Sequence, residues 1–256
     1  MMSMRPSFAD HFSTSAAAYR QARPGYPPAL FQWLCSLPQT PTQAWDCGSG
    51  SGQASRGLAR HFPHVLASDP SAKQLAEAPP TRGITYICAP AERAPLPDQS
   101  VDLTLAAQAA HWFDLDAFYA QVRRVSRPGA ILALVTYGPF EASGQLGAAL
   151  EAYYTGPLHA HWPAERAHVE AGYQTLPFPF AEIDSPAFAM RVRWPFDRLA
   201  TYLETWSALK AYRDVLGHDP LPAMIAPIRD AWGDPNARRE IRWPLSLRVG
   251  WVTGPA

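Results

Sequence analysis

Three alternating glycines set between two apolar stretches constrain this chain more than any other feature. Ala44-Trp45 is followed by Asp46 and Cys47, and the chain then breaks into Gly48-Ser49-Gly50-Ser51-Gly52 before a helical segment. A second apolar stretch, Val65-Leu66-Ala67-Ser68, also ends in an acid, Asp69. In an open α/β sheet two such strand ends lie side by side, and a ligand binds in the crevice beyond them. Glycines let the backbone come close to that ligand, and Asp69 is placed to accept hydrogen bonds from both hydroxyls of a ribose. The pattern predicts a nucleoside site.

The glycine spacing narrows which nucleoside. A dinucleotide fingerprint requires G-x-G-x-x-G, and counting from Gly48 or Gly50 puts Gln53 or Ser55 where the third glycine belongs. Neither register fits a nicotinamide oxidoreductase. No Gly-Lys-Ser/Thr follows, so a phosphate-cradling loop is excluded too. What remains is G-x-G-x-G behind an acid, in Gly48, Gly50 and Gly52 after Asp46.

Lys plus Arg equal Asp plus Glu, so no global charge favours nucleic acid. Charged residues make up only 17% of the 256 residues and aromatic ones 12%, which points to an apolar, aromatic acceptor pocket. Cys35, Cys47 and Cys88 are scattered without disulfide or zinc spacing, as expected of a reduced, cytoplasmic protein. No signal-peptide core or membrane-length apolar stretch stands out, so no membrane partner is expected. The 27 prolines mark loops, since apolar segments resume after each. Oligomeric state is not legible.

Along the chain, Pro28 opens a helix to about Leu37, and strands are expected at Gln43–Cys47, Val65–Ser68, Ile84–Cys88 and Val101–Ala107. Helices are expected at Gln53–His61 and Ser71–Glu77. Leu115, Phe118, Tyr119, Val122 and Val125 carry helical spacing, stopped by Arg127-Pro128-Gly129. Ala130–Tyr137 is a continuous apolar run, of the kind buried on both faces of a parallel sheet. This alternation argues for a doubly wound α/β fold. Further on, Gly144–Tyr154, Phe196–Tyr212 and Pro222–Trp232 read as helices, Phe188–Arg193 as an alternating strand and Leu245–Thr253 as a terminal strand. We expect one domain over residues 1–256. Its parts are an N-terminal lid at about 1–37, a cofactor-binding core at about 40–140, and C-terminal strands with cap helices at about 141–256.

With these residues in place, the chain resembles the class I S-adenosylmethionine (SAM) dependent methyltransferases of the type 11 family. Asp46 with the three glycines is similar to their first motif. Ala89-Pro90-Ala91-Glu92, Leu96-Pro97 and Ser100-Val101-Asp102-Leu103 are similar to the motifs at their third and fourth strands. Gln108-Ala109-Ala110-His111-Trp112-Phe113-Asp114 looks like the subgroup that includes the trans-aconitate methyltransferases, as do Phe8–Pro27 and Thr205-Trp206-Ser207-Ala208. One departure is that Ser49 and Ser51 fill the positions between the glycines, where the family usually has Cys and Thr. The resemblance implies a seven-stranded, mostly parallel sheet with an antiparallel last strand. It also implies SAM as cofactor, S-adenosylhomocysteine as product, no metal, and a small-molecule acceptor, a carboxylate or other oxygen or sulfur nucleophile.

Each candidate has a bland alternative. Asp69 binds ribose or caps the helix after it. Asp46 orients the glycine loop, reaches the cofactor's amino group, or is structural. The resemblance puts Glu92 and the backbone near Ala91 at the adenine; Glu92 is otherwise an ordinary loop acid. Gln108 meets the methionyl moiety or is simply polar surface. Tyr19 and Arg23 fold over the cofactor, Arg23 facing its carboxylate, or are solvated. His111 takes a proton from a hydroxyl or thiol, or shapes the pocket. Trp112 contacts the sulfonium or packs on the following helix, and Trp206 lines an acceptor pocket or belongs to a core. Cys47 reads as a packed thiol, and His159, His161 and His168 as loop residues. A SAM-binding protein without transferase activity is the rival reading.

Overall fold

In a computed structural model, which describes residues 24–253, the strands with apolar runs assemble in the crossover order that parallel strands require. The strands are β1 (Gln43–Cys47), β2 (His64–Asp69), β3 (Ile84–Cys88), β4 (Val101–Ala107), β5 (Ser126–Thr136), β6 (Ala181–Glu182), β7 (Ala189–Trp194), β8 (Arg239–Pro244) and β9 (Ser246–Trp251). Seven form one sheet in the order β3-β2-β1-β4-β5-β9-β6. β1 to β5 pair in parallel, and β9 runs antiparallel between β5 and β6. This is the seven-stranded, mostly parallel α/β architecture expected.

Alternation along β5 divides the core. Ile131, Ala133 and Val135 join a cluster with Leu30 and Leu34 of helix α1 (Pro28–Cys35) and Leu58 of α2 (Gln53–Leu58). Leu132 and Leu134 join Phe118 and Val122 of helix α4 (Leu115–Val125) in a second cluster. The short α3 (Ala72–Ala76) follows β2. Helices therefore cover both faces, and each fully buried Leu or Phe contributes about 1.5–3 kcal/mol. Asp114 caps α4 by accepting from Ala117 N at 3.3 Å, and Arg124 in its last turn donates to the carbonyls of Leu96 and Ala94.

Several expectations need correction. The fifth strand starts at Ser126, not Ala130, because Ser126 pairs with Val101 across an irregularity in register. Helix α2 stops at Leu58, short of His61. The alternating segment 188–193 is a strand but stays outside the main sheet: β7 pairs antiparallel with β8 in a separate ribbon. Segment 196–212 is two helices, α7 (Phe196–Glu204) and α8 (Ser207–Leu216), because Trp206 turns extended between them at φ −71, ψ 130. The ribbon, α7, α8 and α9 (Leu221–Trp232) form one excursion between β6 and β9. α9 packs on α5 (Gly144–Thr155), which follows β5, and Glu141 bridges to Arg242 of the ribbon. Among the described residues no helix is long and apolar enough to cross a membrane.

Candidate functional site

Beyond the carboxyl ends of β1, β2 and β4 lies a cavity of about 580 Å³, within the range of small-molecule and cofactor sites. The glycine loop shapes one wall. Gly48, Gly50 and Gly52 all have positive φ, at 72°, 53° and 74°, where other residues are strained. A side chain on Gly48 would stand 2.5 Å from Ala109 Cβ, so the loop can lie against the end of β4 only without one. The loop is held by the sheet: Gly48 N and Ser49 N both donate to Ser68 O, at 2.8 and 3.0 Å.

Asp69 ends β2 and ties the neighbouring backbones together. One carboxylate oxygen accepts from Gly50 N and the other from Ser71 N, each at 2.8 Å. The cap of α3 is Ser71, whose hydroxyl accepts from Gln74 N, so Asp69 is not the helix cap. Asp46 is completely buried at the end of β1 and accepts the Ser55 hydroxyl with one oxygen. Its other oxygen and the Ser49 hydroxyl have no partner among the described residues. Burial pushes the Asp46 carboxyl up to about 7; the Ser55 hydroxyl pulls it part way back, and Asp69 adds to the rise.

The remaining candidates divide. Asp46, Gly48, Gly50, Asp69, Ala91, Glu92, Gln108 and Trp112 line the cavity. Glu92 accepts from Asp114 N at 2.9 Å, fastening the loop after β3 to the start of α4. The Gln108 amide is not loose polar surface: it pairs with Tyr137 N and O at 3.1 and 3.0 Å and accepts the Thr136 hydroxyl at 2.6 Å. With φ at 58°, Gln108 bends the chain sharply out of β4. Gly52 lies behind the loop, where a side chain would meet the Tyr86 hydroxyl at 2.5 Å. Trp206 is buried away from this cavity among the rings of Tyr153, Tyr154 and Trp162. Cys47 is sealed in the core, and its thiol pKa is driven well up by burial. Tyr19 and Arg23 lie outside the described residues.

His111 is not among the cavity-lining residues. Its Nδ1 is 2.7 Å from the hydroxyl of Tyr173, a residue the sequence reading missed. Tyr173 is fully buried with φ at 64°, rare for an aromatic residue, and it follows Gly172, also at positive φ. The Gly172-Tyr173 pair is the only sequence hint of that turn. His159 and His161 lie in a short helical turn, and His168 meets the Thr175 hydroxyl. The described residues hold no group of three side chains suited to a metal ion.

A parallel sheet with a glycine cradle and an acid at the next strand end defines a nucleoside-cofactor site on an α/β enzyme fold. Comparison with known proteins says which. Residues 45–134 match the model of a methyltransferase domain. A protein of Dictyostelium discoideum called a "putative methyltransferase" is 30% identical over 219 residues, 84% of this chain and 83% of its own. An uncharacterised methyltransferase of Mycobacterium tuberculosis is 38% identical over 128 residues, 48% of this chain and 51% of its own. Among solved structures, a "putative type II methyltransferase" from Anaeromyxobacter dehalogenans shares 47% identity, with a TM-score of 0.86 over 91% of this chain and 99% of that one. The chain belongs to the SAM-dependent methyltransferase family.

Proposed function

We propose that this chain transfers the methyl group of SAM to a small-molecule acceptor and releases S-adenosylhomocysteine. The observation that carries the reading is that the positive-φ glycines Gly48 and Gly50 and the Asp69 carboxylate line one cavity of adequate size. The Asp69 carboxylate has acceptor capacity beyond two backbone N–H groups, which suits a ribose diol. Ala91 and Glu92 flank the adenine, and the bend at Gln108 presents backbone toward the methionyl moiety. Buried Asp46, with one oxygen lacking a partner among the described residues, supports the loop and faces the cationic part of the cofactor. Tyr19 and Arg23 lie outside the described residues, and we read the whole chain as one unit working in the cytoplasm.

Bound SAM would supply a methyl group on its sulfonium: an aligned nucleophile would bond to the methyl carbon as the C–S bond breaks and the thioether leaves. The protein's share is therefore orientation and exclusion of water. Trp112 lines the cavity and His111 adjoins it in the same turn, on the acceptor side, whereas Trp206 packs among Tyr153, Tyr154 and Trp162. His111 receives a proton if the acceptor is a hydroxyl or thiol; a carboxylate acceptor needs no base. The resemblance to the trans-aconitate subgroup supports a carboxylate or other oxygen or sulfur nucleophile.

Calorimetric titration with SAM, S-adenosylhomocysteine and NADH tests this directly. Micromolar binding of both adenosyl ligands without NADH is expected. Failure of both in folded protein refutes the reading.

A further inference from the structure

A second group of side chains adjoins the turn Ala110–Trp112. Helix α6 (Arg166–Glu170) packs on that turn. The Arg166 guanidinium lies against two aromatic faces, with Cζ 4.9 Å from the Trp162 ring centre and 5.5 Å from that of Tyr154. Its Nε donates to the Tyr154 hydroxyl at 2.8 Å, and that hydroxyl donates onward to Glu170. The Glu170 carboxylate itself stays 4.0 Å from Nε, so it offsets part of the charge from the Nε edge only.

The outer edge of the guanidinium is different. Nη1 and Nη2 have no hydrogen-bond or ion-pair partner among the described residues, although the side chain is only 20% exposed. Other partly buried arginines of this fold use those nitrogens: Arg124 on the carbonyls of Leu96 and Ala94, Arg127 on Asp102, Arg248 on Leu176 O and Glu182. Those donors are not sealed from solvent, so an anion arriving from solution can reach them. The walls are apolar as well. Trp162 and Tyr154 pack on Trp206 from the excursion, with ring centres at 5.4 and 5.7 Å. Burial raises the Tyr173 hydroxyl pKa, and Arg166 is the weakest of the groups opposing that rise.

We infer that Arg166, backed by Tyr154, Trp162 and Trp206, is an anchor subsite for the acceptor that takes a carboxylate carried on an apolar or aromatic body. The carboxylate lies in the plane of the Nη1/Nη2 edge, where guanidinium geometry matches it with two parallel hydrogen bonds. The body lies along the tryptophan wall. The anchored carboxylate is not the methyl-accepting atom, because its lone pairs are engaged by the cation; the nucleophile is a second group of the same molecule, on the Trp112 side. The role as acceptor site rests on the methyltransferase reading, whereas the binding of the anion does not.

The test uses the full chain loaded with S-adenosylhomocysteine and follows tryptophan fluorescence. Phenylacetate, cinnamate and 4-hydroxyphenylacetate are each titrated against the corresponding amide. At least one acid is expected to bind about tenfold or more tighter than its amide, the scale of a charge-assisted pair. Arg166→Gln should erase that preference while affinity for S-adenosylhomocysteine stays at the wild-type value. Arg166→Lys, which keeps the charge but loses the planar fork, should retain only part of it, and it stands in if the glutamine variant does not fold. Equal binding of acid and amide in the wild type, no binding of any pair at millimolar concentration, or a preference that survives both substitutions overturns the subsite. If S-adenosylhomocysteine does not bind but the acid preference holds in its absence, the methyltransferase reading falls and the anion site stands.

Discussion

The Tyr173 hydroxyl meets His111 Nδ1 at 2.7 Å, joining positions 62 residues apart beside the end of β4. The contact ties one imidazole nitrogen to a buried phenol and so fixes the ring orientation. It depends on a backbone conformation that an aromatic residue rarely adopts.

Removing the hydroxyl alone, in Tyr173→Phe, should cost about 1 kcal/mol of stability, that of one hydrogen bond. The sharper readout is nitrogen NMR of His111. One tautomer should dominate in the wild type and two should exchange in the variant; an unchanged spectrum would show that Tyr173 does not set the ring.

Asp69→Ala should weaken S-adenosylhomocysteine binding by about tenfold or more, the scale of hydrogen bonds to a charged group. It should also lower stability, since Gly50 N and Ser71 N lose their acceptor together. Calorimetry and thermal melts separate the two effects. Unchanged affinity in folded protein would remove Asp69 from the ribose.

Gly48→Ala places a carbon 2.5 Å from Ala109 Cβ at a φ of 72°. The expected loss is about 1–3 kcal/mol, with cofactor affinity falling as the loop shifts. Gly138→Ala is the control, because a side chain there meets nothing within 4 Å. Similar melting of the two variants would mean the loop yields easily.

Asp46 predicts a pH dependence whose sign is fixed. Its carboxyl lies at about 7 in the folded protein against 3.8 ordinarily, so the folded state holds the proton more tightly. That contribution is fully present below 3.8, is lost as pH rises to about 7, and is level above. Asp46→Asn should therefore gain on the ligand-free wild type across that window, by an amount on the order of 4 kcal/mol at most. Urea unfolding at both ends of the window measures it. A constant difference between the two proteins would show that Asp46 does not titrate there.

The half of the molecule that carries the glycine loop was legible because its elements declare themselves locally. Buried parallel strands such as β4 and β5 must be apolar on both faces, and α4 shows its inner face in Phe118, Tyr119, Val122 and Val125. The excursion was not legible in the same way. Alternation marks Phe188–Arg193 as a strand but says nothing of its partner, Arg239–Pro244. Aromatic spacing runs unbroken through Trp206, although that residue leaves the helix to insert its ring among Tyr153, Tyr154 and Trp162. Side-chain pairings such as Tyr173 with His111, or Gln108 with Tyr137, depend on distant strand ends meeting, which no local pattern records.

The excursion departs after β6 and returns at β9, and these two strands are direct neighbours, with Ala181 opposite Trp251. Its entry and exit therefore share one border of the sheet. A lineage could lengthen, trim or replace this whole block without moving a strand that touches the glycine loop. The strand ends that carry the glycine loop would keep their register through any such change.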